Sequence, residues 1–274
     1  MKAARLDYVR AHDANEAINL LEQNSGRARL IAGAQSLGPM LNLRLARPQL
    51  LIDIARIETL RQIEDLGNKW RIGAGVTHAQ LEDCPLGGAN LLSEVAGSIA
   101  YRAIRNRGTI GGSLAHADPA ADWPVALAAL GARVILRSGR ATRAFAVEEF
   151  ILAAFTTPLA DDEIIESVEV PKLSSSARCA YYKFSRKTGD FAEASAAVVL
   201  DPEAGTARLF LGALRSTPVA LASLAAMVAA KGESAATHAS VTTAVATTIP
   251  DLDPVEQRMA TAVVTRAIGK ALLA

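Results

Sequence analysis

Residues 106–124, NRGTIGGSLAHADPAADWP, place the adjacent Gly111 and Gly112 between the hydroxyls of Thr109 and Ser113, with His116, Asp118 and Asp122 close behind. Glycine lets the main chain come close to a ligand, and the hydroxyls add donors and acceptors beside it. That combination suits a phosphate-bearing ligand. Asp122 has the chemistry to accept hydrogen bonds from a ribose or ribityl hydroxyl, whereas Asp118, directly before Pro119, also reads as the start of a turn. A metal site of His116, Asp118 and Asp122 is the weaker reading, because a single histidine followed by two such carboxylates matches no strong ligand spacing. A Ser-His-Asp triad has no G-x-S-x-G elbow to present its serine.

A second glycine loop, AGAQSLG at 32–38, falls where a strand gives way to a helix. Gly33 and Gly38 have P-loop spacing, but Pro39 and Met40 stand where that motif needs Lys and Ser or Thr, so a Walker A site is excluded. No G-x-G-x-x-G exists either; Gly73-Ala74-Gly75 lacks the third glycine and a ribose-binding acid, which removes the main support for a Rossmann domain. A strand-to-helix turn still offers backbone N–H groups to an anion, with Gln35 and Ser36 adding side-chain partners. Taken alone it reads equally well as an ordinary turn capped by Ser36. Two such loops in one chain could grip a diphosphate from both sides.

These loops sit in a chain of 274 residues, half of them hydrophobic, long enough for one large domain or a few small ones. Lys and Arg total 29 against 28 acids, a formal net charge of +1, so no global field draws it to nucleic acid or anionic lipid. The N-terminus lacks the apolar core of a secretory signal and no stretch is long enough to span a membrane, from which we expect a cytoplasmic protein. Only Cys84 and Cys179 are present, far apart, so this chain can build neither a disulfide framework nor a four-thiolate zinc or iron-sulfur centre.

The elements that must position the loops follow from periodicity. Asp13 and Glu16 have capping-box spacing ahead of a helix ending near Gly26, and strands are predicted at 28–33 and 50–54 around a helical 36–46. Residues 70–76 read as a strand, 77–84 as a helix and 90–106 as one longer amphipathic helix leading to the irregular 106–124. Helix, glycine stop and strand follow over 124–138, then a short helix near 148–155 and a strand at 163–171. This mixture without regular βαβ spacing makes the fold α+β. The serine cluster at 174–177 is the expected linker. Three strands after it (180–185, 195–201, 207–214) favour a small antiparallel sheet, and two alanine-rich helices, each opening near a proline, fill 216–230 and 253–274.

AGAQSLGPMLNLRLARP with LIDI after it, then RNRGTIGGSLAHADPAADWP, then YYKFSRKTGDFA together resemble the FAD-binding medium subunit of molybdenum hydroxylases, the carbon monoxide and xanthine dehydrogenase family. The resemblance runs over essentially the whole chain. It implies a vanillyl-alcohol-oxidase-like FAD-binding domain over 1–173, with subdomains of about 1–55 and 56–173, followed by a C-terminal domain over 178–274. It assigns FAD contacts to Ala32, Gly33, Ala34, Gln35, Ser36 and Leu37 in the first loop, and to Thr109, Gly111, Gly112, Ser113, His116 and Asp122 in the second. Ile165, Lys183 and Phe191 fall near the flavin, and His116 and Lys183 become candidates for influencing the charge of the reduced ring.

Two positions depart from the family pattern. Ala34 stands where a second glycine is usual, so its φ must suit a Cβ or the loop is strained. Ser113 replaces an asparagine. The resemblance further implies electron transfer within a heterotrimeric complex: a large subunit with the molybdenum cofactor, a small subunit with [2Fe-2S] clusters, and FAD here passing electrons to an external acceptor. No side chain of this chain then performs catalysis on the organic substrate. Arg102, Arg105 and Arg107 could meet an acidic face of the iron-sulfur subunit, although a solvated helix face is the simpler reading. Two other classes stay open: a stand-alone flavin- or nicotinamide-dependent oxidoreductase, and a non-catalytic nucleotide-binding protein.

Overall fold

The computed structural model describes residues 2–84, 86 and 90–273. Its N-terminal layer is a three-stranded parallel sheet built from β1 (Asp7–Arg10), β2 (Ala28–Ile31) and β3 (Leu50–Asp53) in the order β1-β3-β2, with α1 (Ala14–Gln23) and α2 (Leu37–Asn42) as connections. The sequence reading lacks β1, whose four residues DYVR carry no clear alternation. Asp13 caps α1 as expected, accepting from the Glu16 N–H at 2.9 Å, but the Glu16 carboxylate accepts from the His12 N–H instead of completing the box on Asp13.

The middle layer is an antiparallel five-stranded sheet, β4 (Ile63–Asp65), β5 (Lys69–Gly73), β6 (Arg133–Arg137), β7 (Thr142–Ala146) and β8 (Ile164–Pro171), in the order β4-β5-β8-β6-β7. Between β5 and β6 run α3 (His78–Asp83), α4 (Leu91–Ser98), α5 (Arg102–Arg105), α6 (Ile110–His116) and α7 (Asp122–Ala129); α8 (Val147–Phe150) follows β7. The single helix expected over 90–106 is thus two, broken at Ala100, whose φ is 44°. The break is held open by Arg105, which donates to the carbonyls of Ile99 and Ala100 at 2.9 and 2.8 Å and so satisfies acceptors that a helix end leaves orphaned.

The segment at 106–124, read as irregular, contains α6 and the start of α7, both opening directly from the loops between them. Neither Gly111 nor Gly112 has positive φ; what matters at both is the missing Cβ.

The last layer is a four-stranded antiparallel sheet of β9 (Arg178–Phe184), β10 (Ala194–Asp201), β11 (Thr206–Gly212) and the short edge strand β12 (Val219–Ala220), covered by α9 (Ala222–Lys231), α10 (His238–Thr248) and α11 (Pro254–Leu273). Pro254 opens α11 as its pattern predicts, whereas Pro218 precedes edge strand β12, where a missing N–H is tolerated. The expected end of α11 at Ala274 lies outside the described residues. The serine segment is pinned, since Ser174 donates through Oγ and N to Asp201 at 2.6 and 2.9 Å.

Every residue of α7 is buried. Its side chains join one core cluster that contains Val134 and Leu136 of the middle sheet together with Ala197, Val199 and Phe210 of the last sheet. A helix apolar on all sides belongs between two layers, and this one carries Asp122 at its first turn.

Candidate functional site

Both glycine loops open onto one cavity of about 570 Å³. The first loop leaves β2 and turns into α2; the second connects α5 to α6 and is tied to α3 by the Thr77–Thr109 bridge and by the His78 N–H donating to the Gly108 carbonyl at 2.9 Å. A full capping box on α3, with Thr77 and Gln80 each accepting from the other's backbone N–H, fixes that anchor.

The loops touch main chain to main chain. A Cβ built on Gly33 would lie 2.1 Å from the Arg107 carbonyl oxygen and 2.9 Å from the Gly108 Cα, so only glycine permits this approach. On the far side, a Cβ on Gly111 would lie 2.4 Å from the Ala74 Cβ, which seats α6 against the end of β5.

Their hydrogen-bonding capacity is unequal. In the second loop the N–H groups of Ile110, Gly111 and Ser113 donate to the carbonyls of Val76, Ala74 and Thr109, each at 3.0 Å, and that of Gly112 donates to Thr109 Oγ1 at 3.0 Å. In the first loop, no acceptor among the described residues meets the N–H groups of Ala34, Gln35, Ser36 or Leu37. Gln35 donates its side-chain amide to the Gly33 carbonyl at 2.8 Å, which orders the turn. Ala34 has φ 61°, so of the two possibilities its sequence left, the strained backbone is the one adopted.

Of the residues assigned from the sequence, Ala32, Gly33, Ala34, Gln35, Ser36 and Leu37 line the cavity on one side. Thr109, Gly111, Gly112, Ser113, His116 and Asp122 line it on the other, with Ile165 of β8 and Phe191 of the β9–β10 connection. Phe191 is 63% exposed, at the rim. His116 closes α6 with its ring centroid 5.1 Å from that of Phe155. Asp118 also faces the cavity and accepts from the Ala120 N–H at 2.9 Å, the turn that its place before Pro119 suggested.

Lys183 is not part of the lining. Its ammonium lies 2.9 Å from Asp122 Oδ1, which also accepts from the Tyr181 hydroxyl at 2.6 Å. β9 therefore reaches the cavity through Asp122: Tyr181 and Lys183, two residues apart on one strand, project to the same face. Burial and the adjacent Asp122 carboxylate raise the Tyr181 pKa well above its ordinary value, so the phenol stays a donor.

The sequence reading did not single out His78. It is buried, lines the cavity, and accepts through Nδ1 from the indole N–H of Trp123 at 3.0 Å. Burial, with Arg105 nearby, pushes its pKa down to about 4. A lone histidine after Thr77 gives no local signal of this; only the fold brings Trp123 to it.

Two of the three arginines considered for docking, Arg102 and Arg105, are engaged within the chain. Arg102 donates to Glu82 and Asp83, and Arg105 to Glu82 at 2.8 and 2.9 Å. Arg107 is exposed and contributes its carbonyl to the contact with Gly33.

A cavity of this size, walled by apolar residues and two glycine turns with free donors on one side, is the form of a cofactor site. Comparison with known proteins identifies which. Residues 3–173 match the family described as the FAD binding domain in molybdopterin dehydrogenase, and the chain belongs to that family. Among curated relatives, it is 42% identical over 212 residues to the 6-hydroxypseudooxynicotine dehydrogenase complex subunit alpha of Paenarthrobacter nicotinovorans, covering 76% of this chain and 72% of the relative. It is 39% identical over 204 residues to the carbon monoxide dehydrogenase medium chain of Hydrogenophaga pseudoflava, covering 74% and 71%. Solved structures of carbon monoxide dehydrogenase from Hydrogenophaga pseudoflava and of quinoline 2-oxidoreductase from Pseudomonas putida 86 contain chains that superpose with TM-scores of 0.91 and 0.90 at 34% and 30% identity. Each covers 100% of this chain and 99% of its counterpart.

The residues present fit FAD. The open amides of 34–37 suit a diphosphate, the contact at Gly33 leaves no room for a Cβ where the two loops meet, and Asp122 is a buried, fixed acceptor beside them.

Proposed function

We propose that this chain is the FAD-carrying electron-transfer subunit of a molybdenum hydroxylase complex, and that it holds the cofactor between its two glycine loops. The observation that carries the reading is the approach of Gly33 to Arg107 and Gly108, which joins turns more than seventy residues apart around one cavity. When bound, FAD supplies a ring that accepts electrons and passes them on.

The chain's own residues bind and orient. Ala34, Gln35, Ser36 and Leu37 give amide donors to the diphosphate, while Ala32 and Gly33 keep the loop close to its partner. Thr109 and Ser113 supply hydroxyls, Gly111 and Gly112 keep the second wall thin, and Asp122 accepts from a sugar hydroxyl while Tyr181 and Lys183 hold it in place. His116, Ile165 and Phe191 pack at the flavin end and limit water there.

Relatives named as a complex subunit and as medium chains support partners of the same kind. These are an iron-sulfur small subunit delivering electrons, a molybdenum-binding large subunit where organic substrate reacts, and an external acceptor. No helix among the described residues is long and apolar enough to cross a membrane; we assign a cytoplasmic location. We place the boundary between the cofactor-holding part and the C-terminal part at 174–177.

The test is spectroscopic. The full chain, purified and supplied with FAD, should become yellow with flavin absorbance that survives gel filtration, and should co-purify with its partners when they are co-expressed. A protein that stays colourless refutes the reading, and turnover of an organic donor by the isolated chain would favour a stand-alone oxidoreductase.

A further inference from the structure

The second loop poses a problem that the first does not. If a diphosphate lies between the loops, the amides of Ile110, Gly111, Gly112 and Ser113 are already donating within the protein, so that wall offers only the Thr109 N–H and the hydroxyls of Thr109 and Ser113 against four open amides opposite, and a further donor would balance the two sides. His78 has the required geometry. An indole N–H can only donate, so the 3.0 Å contact from Trp123 makes Nδ1 of His78 an acceptor and leaves the ring proton on Nε2. The Nε2–Cδ2 edge of the ring lies against Gly108, where a Cβ would sit 2.7 Å from Nε2 and 2.8 Å from Cδ2. No acceptor among the described residues meets Nε2, yet the atom is not sealed off from solvent, and His78 and Gly108 both line the cavity.

We propose that His78 is a cofactor-binding residue that donates its Nε2–H to a diphosphate oxygen of the bound dinucleotide beside Gly108, with Trp123 as the residue that fixes the tautomer. This rests on the FAD reading above. Gly108 has to lack a side chain because a Cβ would collide with this ring edge and push it off the loop. In the neutral imidazole the single N–H has one place, set by the partner of the other nitrogen. The depressed pKa of the ring keeps it in this form across the neutral range.

Two substitutions separate the two ring nitrogens in the full chain. Asn places its oxygen near the position of Nδ1 and has nothing at Nε2, whereas Gln places a nitrogen near Nε2 and loses the acceptor for Trp123. His78→Asn should therefore keep the melting temperature of the flavin-free protein but weaken FAD binding by roughly tenfold to a hundredfold, the range for a hydrogen bond to a charged acceptor. His78→Gln should lower the melting temperature while holding FAD within about threefold of the parent, a difference below one such hydrogen bond.

Nitrogen-15 NMR of the parent protein provides a readout free of mutation. The His78 Nε2–H resonance should shift when FAD is added and stay in place with riboflavin, which has no diphosphate. A His78→Asn protein that takes up FAD as tightly as the parent overturns the proposal and leaves the FAD reading intact, as does an equal shift with riboflavin. Failure of the parent to take up FAD overturns both.

Discussion

Gly33→Ala is the sharpest perturbation of the site, because the new Cβ would be placed 2.1 Å from the Arg107 carbonyl oxygen and 2.7 Å from its carbonyl carbon. Both partners are backbone, so no flexible side chain can swing aside. Restoring ordinary contact requires the loops to separate by roughly 1 Å, and overpacking of this kind costs about 1–3 kcal/mol. For a chain of this size that corresponds to a fall in Tm of about 2–12 °C. Separation also pulls donors on the two walls out of reach of one ligand, and loss of a single hydrogen bond to a charged group weakens binding roughly tenfold to a hundredfold. Gly38→Ala is the internal control. It lies in the same loop-to-helix turn, but its Cβ would meet only the Ala34 Cβ at 3.8 Å, and alanine in a helix is favoured by about 1 kcal/mol. Differential scanning fluorimetry and flavin-fluorescence titration of the two variants beside the parent provide the assay. If Gly33→Ala melts with the parent and binds FAD with equal affinity, the loops do not depend on this contact and the argument for the site collapses.

Ala34→Gly should relieve the left-handed strain at φ 61° while adding unfolded-state entropy, giving a net gain of 0 to about 1 kcal/mol; a clear loss of Tm would show that the Cβ is needed. His78, whose pKa falls from 6.5 to about 4 on folding, makes the unfolded chain the better proton acceptor between those values. Protonating the ring therefore costs the folded state about 3 kcal/mol, a penalty that is absent above pH 6.5 and builds as the pH falls toward 4, so urea titrations of the parent should show a slope there that His78→Asn lacks. Burial pushes the Cys179 thiol up to about 12, whereas Cys84 is part-exposed; thiol titration of the native protein at pH 8 should find Cys84 reactive and Cys179 inert until the chain unfolds.

The lining of the candidate site was largely legible in sequence because its residues are local: glycines and hydroxyls clustered in two short runs, each next to an element with clear periodicity. Three of the four strands of the last sheet were legible for the same reason, as apolar runs separated by polar turns, whereas the two-residue edge strand β12 was not. Features that depend on distant partners were not. The break at Ala100 requires Arg105 to fold back on its carbonyls, and nothing in GSIAYRAIRN marks that. β1 is a strand because β3 lies beside it, not because of its own four residues. The neutral, oriented state of His78 exists only once Trp123, 45 positions later, is packed against it. The unequal hydrogen bonding of the loops likewise follows from where β5 ends, through the carbonyls of Ala74 and Val76. The resemblance puts Lys183 near the flavin, but chain pattern alone could not reveal that its ammonium pairs with Asp122, which lines the cavity.

The burial of α7 on every side has a practical corollary for anyone seeking a minimal flavoprotein. The family match stops at residue 173, yet β10 and β11, which cover one flank of this helix, come later. Expressing residues 1–173 alone would turn that flank to solvent and strip Asp122 of Tyr181 and Lys183 together. Such a fragment is expected to bind hydrophobic dye and precipitate, so truncation libraries should keep the sequence through β11 at the least.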